Sequence, residues 1–212
     1  MKNTDLKILF IDITKTAGTA IAESFQAYFP NYIFEGKHHS IQNFISYGSN
    51  IVDDNGFPHK GTCSVVTKQD IQDYTTFSVI RNPYDRMVSL WLWGCDTVYG
   101  HDFDKFVDDV ATNKFQDFNR VRYRSQVEWI SDVEGNNQVS HLLRYETLAQ
   151  DFAVFQEVIG VEKFPLLVRN TALDRSKKQR SAFQNYYSSE VTRQTVEDIW
   201  AADFKMFNYE KI

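Results

Sequence analysis

The spacing of apolar residues changes several times along the chain, and each change marks a predicted element. Lys7 to Ile13 is almost unbroken apolar, which predicts a strand buried on both faces, as in a parallel sheet. From Thr19 onward Ile21, Ala22, Phe25, Tyr28 and Phe29 recur at helical spacing, and Pro30 closes that helix. Ser40 caps a short predicted helix carrying Ile41, Phe44 and Ile45, with Gly48 as its stop. Residues 49–62, with Asp-Asp-Asn-Gly and Gly61, read as an exposed loop or hairpin, and Thr67 is placed to cap a helix over 68–74.

The pattern then repeats. Phe77 to Ile80 predicts a second strand, and Asn82-Pro83 opens a helix with Met87, Leu90 and Trp91 on one face. Phe103, Phe106, Val107 and Val110 mark another amphipathic helix. Residues 139–145, VSHLLRY, predict a third strand, followed by a helix bearing Leu148, Phe152, Phe155 and Ile159 with Gly160 as its stop. One last helix is predicted from Ser189 to about Phe204. Strand and helix alternate without repeats or low-complexity tracts, so the expected class is α/β with a central, mostly parallel sheet flanked by helices. At 212 residues the chain is expected to form a single domain, 1–212.

Composition narrows this picture. Apolar residues make up 42% and aromatics 15%, which is a globular rather than a disordered balance. The formal net charge of −5 argues against a dedicated nucleic-acid binder, although a local basic cluster still suits a small anion. Cys63 and Cys95 have no ligand-like or paired spacing and read as reduced structural thiols. No stretch is apolar enough to cross a bilayer, and Asp12 interrupts the only candidate signal region, so a cytoplasmic location is expected.

Candidate chemistry centres on ILFIDITKTAGTA, from Ile8 to Ala20. A strand that ends in a glycine-containing loop and runs into a helix gathers backbone N–H groups at the positive end of the helix dipole. Gly18 allows close backbone approach, Lys15 adds a point charge, and Thr16 and Thr19 add hydroxyls. The lysine precedes the glycine, unlike the common triphosphate loop G-x-x-x-x-G-K-[ST]. The same residues also suit a plain turn with a threonine helix cap. Arg81 stands at the carboxyl end of the second predicted strand, where ligands bind in open α/β sheets, with Ser89 two helical turns beyond. There too a local reading exists: Arg81 pairs with Asp85, and Asn82 caps the helix.

ITKTAGTAI followed by FSVIRNPYDRMVSLW resembles the paired signatures of sulfotransferases that use 3′-phosphoadenosine 5′-phosphosulfate (PAPS), most closely the carbohydrate O-sulfotransferases of the heparan and chondroitin type. The likeness continues through LLRYETLAQDF and the closing YYSSEVTRQTVEDIWAADFKMFNYE, in the family's order. It implies a P-loop-like three-layer fold. It also implies that Lys15, Thr16, Ala17, Gly18, Thr19 and Ala20 hold the 5′-phosphosulfate, and that Arg81 and Ser89 grip the 3′-phosphate. RNTALDRSKKQR, with Arg175, Lys177, Lys178 and Arg180, matches the late loop that closes over the nucleotide; read alone, it is a solvated polar loop.

The resemblance implies PAPS as co-substrate, the desulfated nucleotide PAP as product, and a hydroxyl acceptor, a sugar, glycoconjugate or glycolipid. No metal is required, because lysine, helix terminus and backbone donors supply the positive field. The acceptor needs a base, and GKHHSI offers His38 and His39, of which the motif favours His38. Adjacent histidines before a capping serine also suit a plain polar loop, and no further ligand at zinc-like spacing supports a metal. His141 reads as a satisfied core residue, and His59 and His101 as loop residues. Arg120 to Arg124, RVRYR, and Gln126 suit either an acidic or sugar acceptor or packing. Thr14 stands where the family usually has proline, and Ala20 where it has serine or threonine. The alternatives are a non-catalytic PAP- or nucleotide-binding protein of the same fold, and a nucleotide kinase or hydrolase. The latter lacks the Lys-Ser/Thr ending and an evident pair of magnesium carboxylates.

Overall fold

A computed structural model describes residues 2–3, 5–29, 72–93, 98–112, 114, 120–167 and 182–212. The described residues fall into two compact units, one within Met1–Ile80 and Gln126–Val168, the other within Arg81–Ser125 and Arg169–Ile212. The predicted helix at 40–48, the loop at 49–62, and both cysteines lie outside the described residues.

The first unit is built on strands β1 (Lys2–Asn3), β2 (Ile8–Ile11), β3 (Thr75–Ile80) and β4 (His141–Arg144), in that spatial order. β2 and β3 run parallel with Ile8 opposite Thr75 and Ile11 opposite Ser78, and β3 and β4 run parallel with Phe77 opposite His141. β1 adds an antiparallel edge, Lys2 opposite Leu9. All four residues of β2 are fully buried, as expected for a strand covered on both faces. The three parallel strands therefore end at one edge, and the segments after Ile11, Ile80 and Arg144 all leave from it.

Helices α1 (Gly18–Tyr28) and α5 (Leu148–Val158) cover one sheet face; α1 follows β2, and α5 follows the short α4 (Gln126–Ile130) and β4. Phe25 of α1 meets Phe152 and Phe164 edge-on at 5.6 and 5.4 Å, while Phe77 of β3 stacks on Phe10 at 4.6 Å and lies 4.2 Å from Phe155. Aromatic pairs at these separations add to simple burial, so this cluster locks helix to strand. Buried Gln156 uses both ends of its amide on Phe164, donating to its carbonyl and accepting from its N–H, each at 2.9 Å. That pairing satisfies the backbone of Phe164 within the irregular 161–167 segment, where no strand is present to do so.

The second unit contains α2 (Pro83–Trp91), α3 (Phe103–Ala111), α6 (Glu190–Ile199) and α7 (Ala201–Phe207). The single closing helix predicted to Phe204 is two helices, broken at Trp200, whose φ is −119° and ψ 30°. The break lets the buried indole of Trp200 donate to the Tyr123 carbonyl at 2.9 Å, beneath the Arg86 guanidinium, 4.6 Å from the ring centroid. Arg86 itself is fully buried and donates to the carbonyls of Arg122 and Arg124 at 3.0 and 2.9 Å. Three successive carbonyls of RVRYR are thus held from within. The backbone of that segment is held by packing partners, and Gln126 is fully buried.

Tyr84 of α2 donates to Glu197 of α6 at 2.5 Å, Glu197 pairs with Lys211 at 2.8 Å, and Tyr187 donates to the Tyr84 carbonyl at 2.9 Å. Burial and the Glu197 hydrogen bond push the Tyr84 phenol up to about 12. A phenol whose folded value is raised stabilises fully below the unfolded value near 10 and loses that contribution as pH rises toward the folded value. Melting temperature is therefore expected to drop between pH 10 and about 12, and Tyr84→Phe is expected to flatten that drop. A variant curve parallel to the wild type would show that Tyr84 does not carry the alkaline transition.

Candidate functional site

β2 ends at Ile11, and Asp12 to Ala17 carry the chain from the sheet edge into α1. Two hydrogen bonds brace this passage among its other contacts. Ile13 N–H donates to the Ile11 carbonyl at 3.2 Å, and the Thr16 hydroxyl donates to the Ile13 carbonyl at 2.9 Å. Thr16 is fully buried, so its hydroxyl braces the loop. Lys15 and Ala17 take left-handed backbone conformations, φ 66° and 79°, with Thr16 between them outside that region. Alternation of this kind turns successive N–H groups toward one side and forms a concave anion cradle. For residues with a Cβ each such conformation costs about 1–3 kcal/mol, so it persists where the surroundings or a ligand require it.

α1 begins at Gly18 with no side-chain cap from Ala17 and no acidic residue in its first turn. Its leading N–H groups have no partner within the helix by construction, and the threonine-cap alternative is not what the loop forms. Thr19 is exposed, and Lys15 and Ala20 are half-buried. Gly18 has ordinary helical geometry, so a left-handed backbone does not explain the glycine. Its neighbour does. A Cβ at residue 18 would lie 1.6 Å from Asp12 Oδ1 and 2.4 Å from Asp12 Cγ. Asp12 is 2% exposed, and its carboxylate fills the space that the missing side chain leaves. Sequence reasoning used Asp12 only as a break in an apolar run. The available signal was an acid at a strand end six residues before the loop glycine.

Arg81 follows Ile80 directly and precedes α2. Both local expectations there are met. Asn82 caps α2 by accepting from Tyr84 and Asp85 N–H groups at 3.0 and 3.4 Å, and Arg81 Nε and Nη2 both lie 2.7 Å from Asp85 Oδ2. The helix therefore starts rigidly, with a proline at its first position, and the buried guanidinium is held in one orientation. Arg81, Asp85 and Ser89 are spaced by four and share one face of the helix. Ser89 is 7% exposed.

His38, His39, Lys177, Lys178 and Arg180 lie outside the described residues, as do Arg175 and His59. His141 is half-buried on β4, its ring 5.7 Å from that of Phe155, and His101 lies in a turn with φ 69°. Among the described residues no group of three or more His, Cys, Asp or Glu could hold a metal ion, and no helix is long and apolar enough to cross a membrane.

A family model described as the sulfotransferase family matches residues 1–210. No curated protein matches the chain. Among solved structures the chain is similar to the crystal structure of a sulfotransferase from Alicyclobacillus acidocaldarius, at 17% identity over 96% of this chain and 98% of that one, with a TM-score of 0.45.

Proposed function

We propose that this chain, which belongs to the sulfotransferase family, transfers a sulfuryl group from PAPS to a hydroxyl of a sugar or glycoconjugate, in the manner of the carbohydrate O-sulfotransferases it resembles in sequence. The observation that carries the reading is the cradle at the end of β2: alternating left-handed residues, an uncapped helix start and a lysine within four consecutive positions. We read this loop as P-loop-like in role and assign residues 15–20 to the 5′-phosphosulfate. Arg81 and Ser89 are assigned to the 3′-phosphate, and Lys177, Lys178 and Arg180 to the closing loop, on the sequence resemblance.

The chemistry is an in-line displacement. The acceptor oxygen forms a bond to sulfur as the bond from sulfur to the 5′-phosphate oxygen breaks, and PAP leaves with the electron pair. The protein's share is positioning and charge stabilisation, as in phosphoryl transfer. Lys15 and the α1 N–H groups stabilise negative charge growing on the leaving oxygen. The hydroxyl proton passes to a base, His38 or His39, with His38 favoured by the motif. These groups need no metal to balance the charge. The compartment we propose is the cytoplasm.

PAP is expected to raise the melting temperature, since a ligand selective for the native state stabilises it by mass action. Calorimetry at up to millimolar PAP tests this, and no shift would remove the nucleotide site. An acceptor panel with labelled PAPS then separates transfer from mere binding: PAP binding without transfer to any sugar or glycolipid would identify a non-catalytic binder. Magnesium-dependent ATP turnover would instead point to a kinase or hydrolase.

A further inference from the structure

We infer that Asp12 is a built-in competitor for the anion at the start of α1, weakening the grip on PAP and easing its release. This rests on reading that cradle as the 5′-phosphate site. α1 carries no acid in its own first turn, yet a carboxylate lies against it. A methyl group on Gly18 would fall 1.6 Å from Asp12 Oδ1 and 2.9 Å from Oδ2, so both oxygens sit close to the first helical Cα. Asp12 is 2% exposed, and the turn that carries it is braced by the Ile13 and Thr16 hydrogen bonds. The carboxylate is therefore part of the loop's architecture rather than a passing surface group.

An ionised carboxylate at this point draws on the same partial positive charge that an incoming phosphate needs. Like charges a few ångströms apart oppose each other strongly where the effective dielectric is low. Asp12 and Lys15 are the charged residues of the loop, so its formal charge over residues 12–18 is zero before any ligand arrives. An anion then meets oriented backbone dipoles with little net charge behind them. Tightest possible binding would call for the opposite arrangement. A transferase gains from the looser one, because its anionic product must leave before the next cycle and product release limits many enzymes.

The test is PAP affinity by isothermal titration calorimetry on the full chain, with Asp12→Asn and Asp12→Ala. Asparagine keeps the shape against Gly18 and removes the charge, and alanine removes both. Asp12→Asn is expected to bind PAP about tenfold more tightly, with Asp12→Ala also tighter and serving as the readout should the asparagine variant fold poorly. If Asp12 were only a packing wedge, the asparagine variant would match the wild type. PAP binding by the wild type with equal or weaker binding by folded Asp12→Asn overturns the inference alone. No PAP binding by the wild type overturns the phosphate-cradle reading, and this inference with it.

Discussion

Lys15→Ala is expected to lower kcat for sulfuryl transfer by about 10²–10³-fold, corresponding to roughly 3–4 kcal/mol of lost transition-state stabilisation. The size follows from where the charge develops. In ground-state PAPS the bridging oxygen carries little extra charge, and it gains charge only as the bond to sulfur breaks. A cation placed there stabilises the transition state more than the bound substrate, so kcat falls further than affinity for PAPS. Lys15→Arg is expected to restore part of the rate, because it keeps the charge but replaces a compact ammonium with a planar fork. Single-turnover rates with the acceptor found in the panel check this. Retention of activity within threefold in Lys15→Ala would leave the lysine without its proposed role.

The strand and turn that carry Lys15 were legible in the sequence because their signals are local. The apolar run from Lys7 to Ile13 named the strand, which spans Ile8–Ile11 in the structure, and an abrupt polar stretch named the turn. Asn82 with Pro83 announced α2 and its cap, which the Tyr84 and Asp85 N–H groups confirm. Gly160, at φ 69°, closes α5 as its position predicted. What escaped the sequence is relational. β1 is only two residues long, too short for any period, and is defined by its pairing with β2. The break at Trp200 is set by partners distant in sequence, Tyr123 and Arg86, while the helical spacing of apolar residues continues through it. Arg86 of α2 is fully buried because two carbonyls from another segment receive it, a pairing no local spacing announces. Asp12 belongs to the same class: its contact with Gly18 exists only once the turn has folded.

Gly18→Ala is expected to destabilise the chain despite improving helix propensity. Exchanging glycine for alanine inside a helix ordinarily favours it by about 1 kcal/mol. Here the new Cβ would stand 1.6 Å from Asp12 Oδ1, so the buried carboxylate must leave its seat or the turn must shift. Overpacking of this kind costs about 1–3 kcal/mol, with the displaced charge adding to it, so the net loss is expected at about 1–2 kcal/mol. For a chain of this size that is a fall of roughly 2–8 °C in melting temperature. If the turn is what shifts, it carries Lys15 and the cradle with it and PAP affinity falls by about tenfold; if the carboxylate leaves instead, affinity rises as in Asp12→Asn. In an Asp12→Ala background the clash is gone, and the same substitution is expected to be neutral or stabilising by up to about 1 kcal/mol. The coupling between the two positions should then be about 2 kcal/mol, well above the few tenths found for independent sites. Additive effects in that double-mutant cycle would mean that Asp12 does not occupy the space over Gly18, and the glycine of the loop would need another cause.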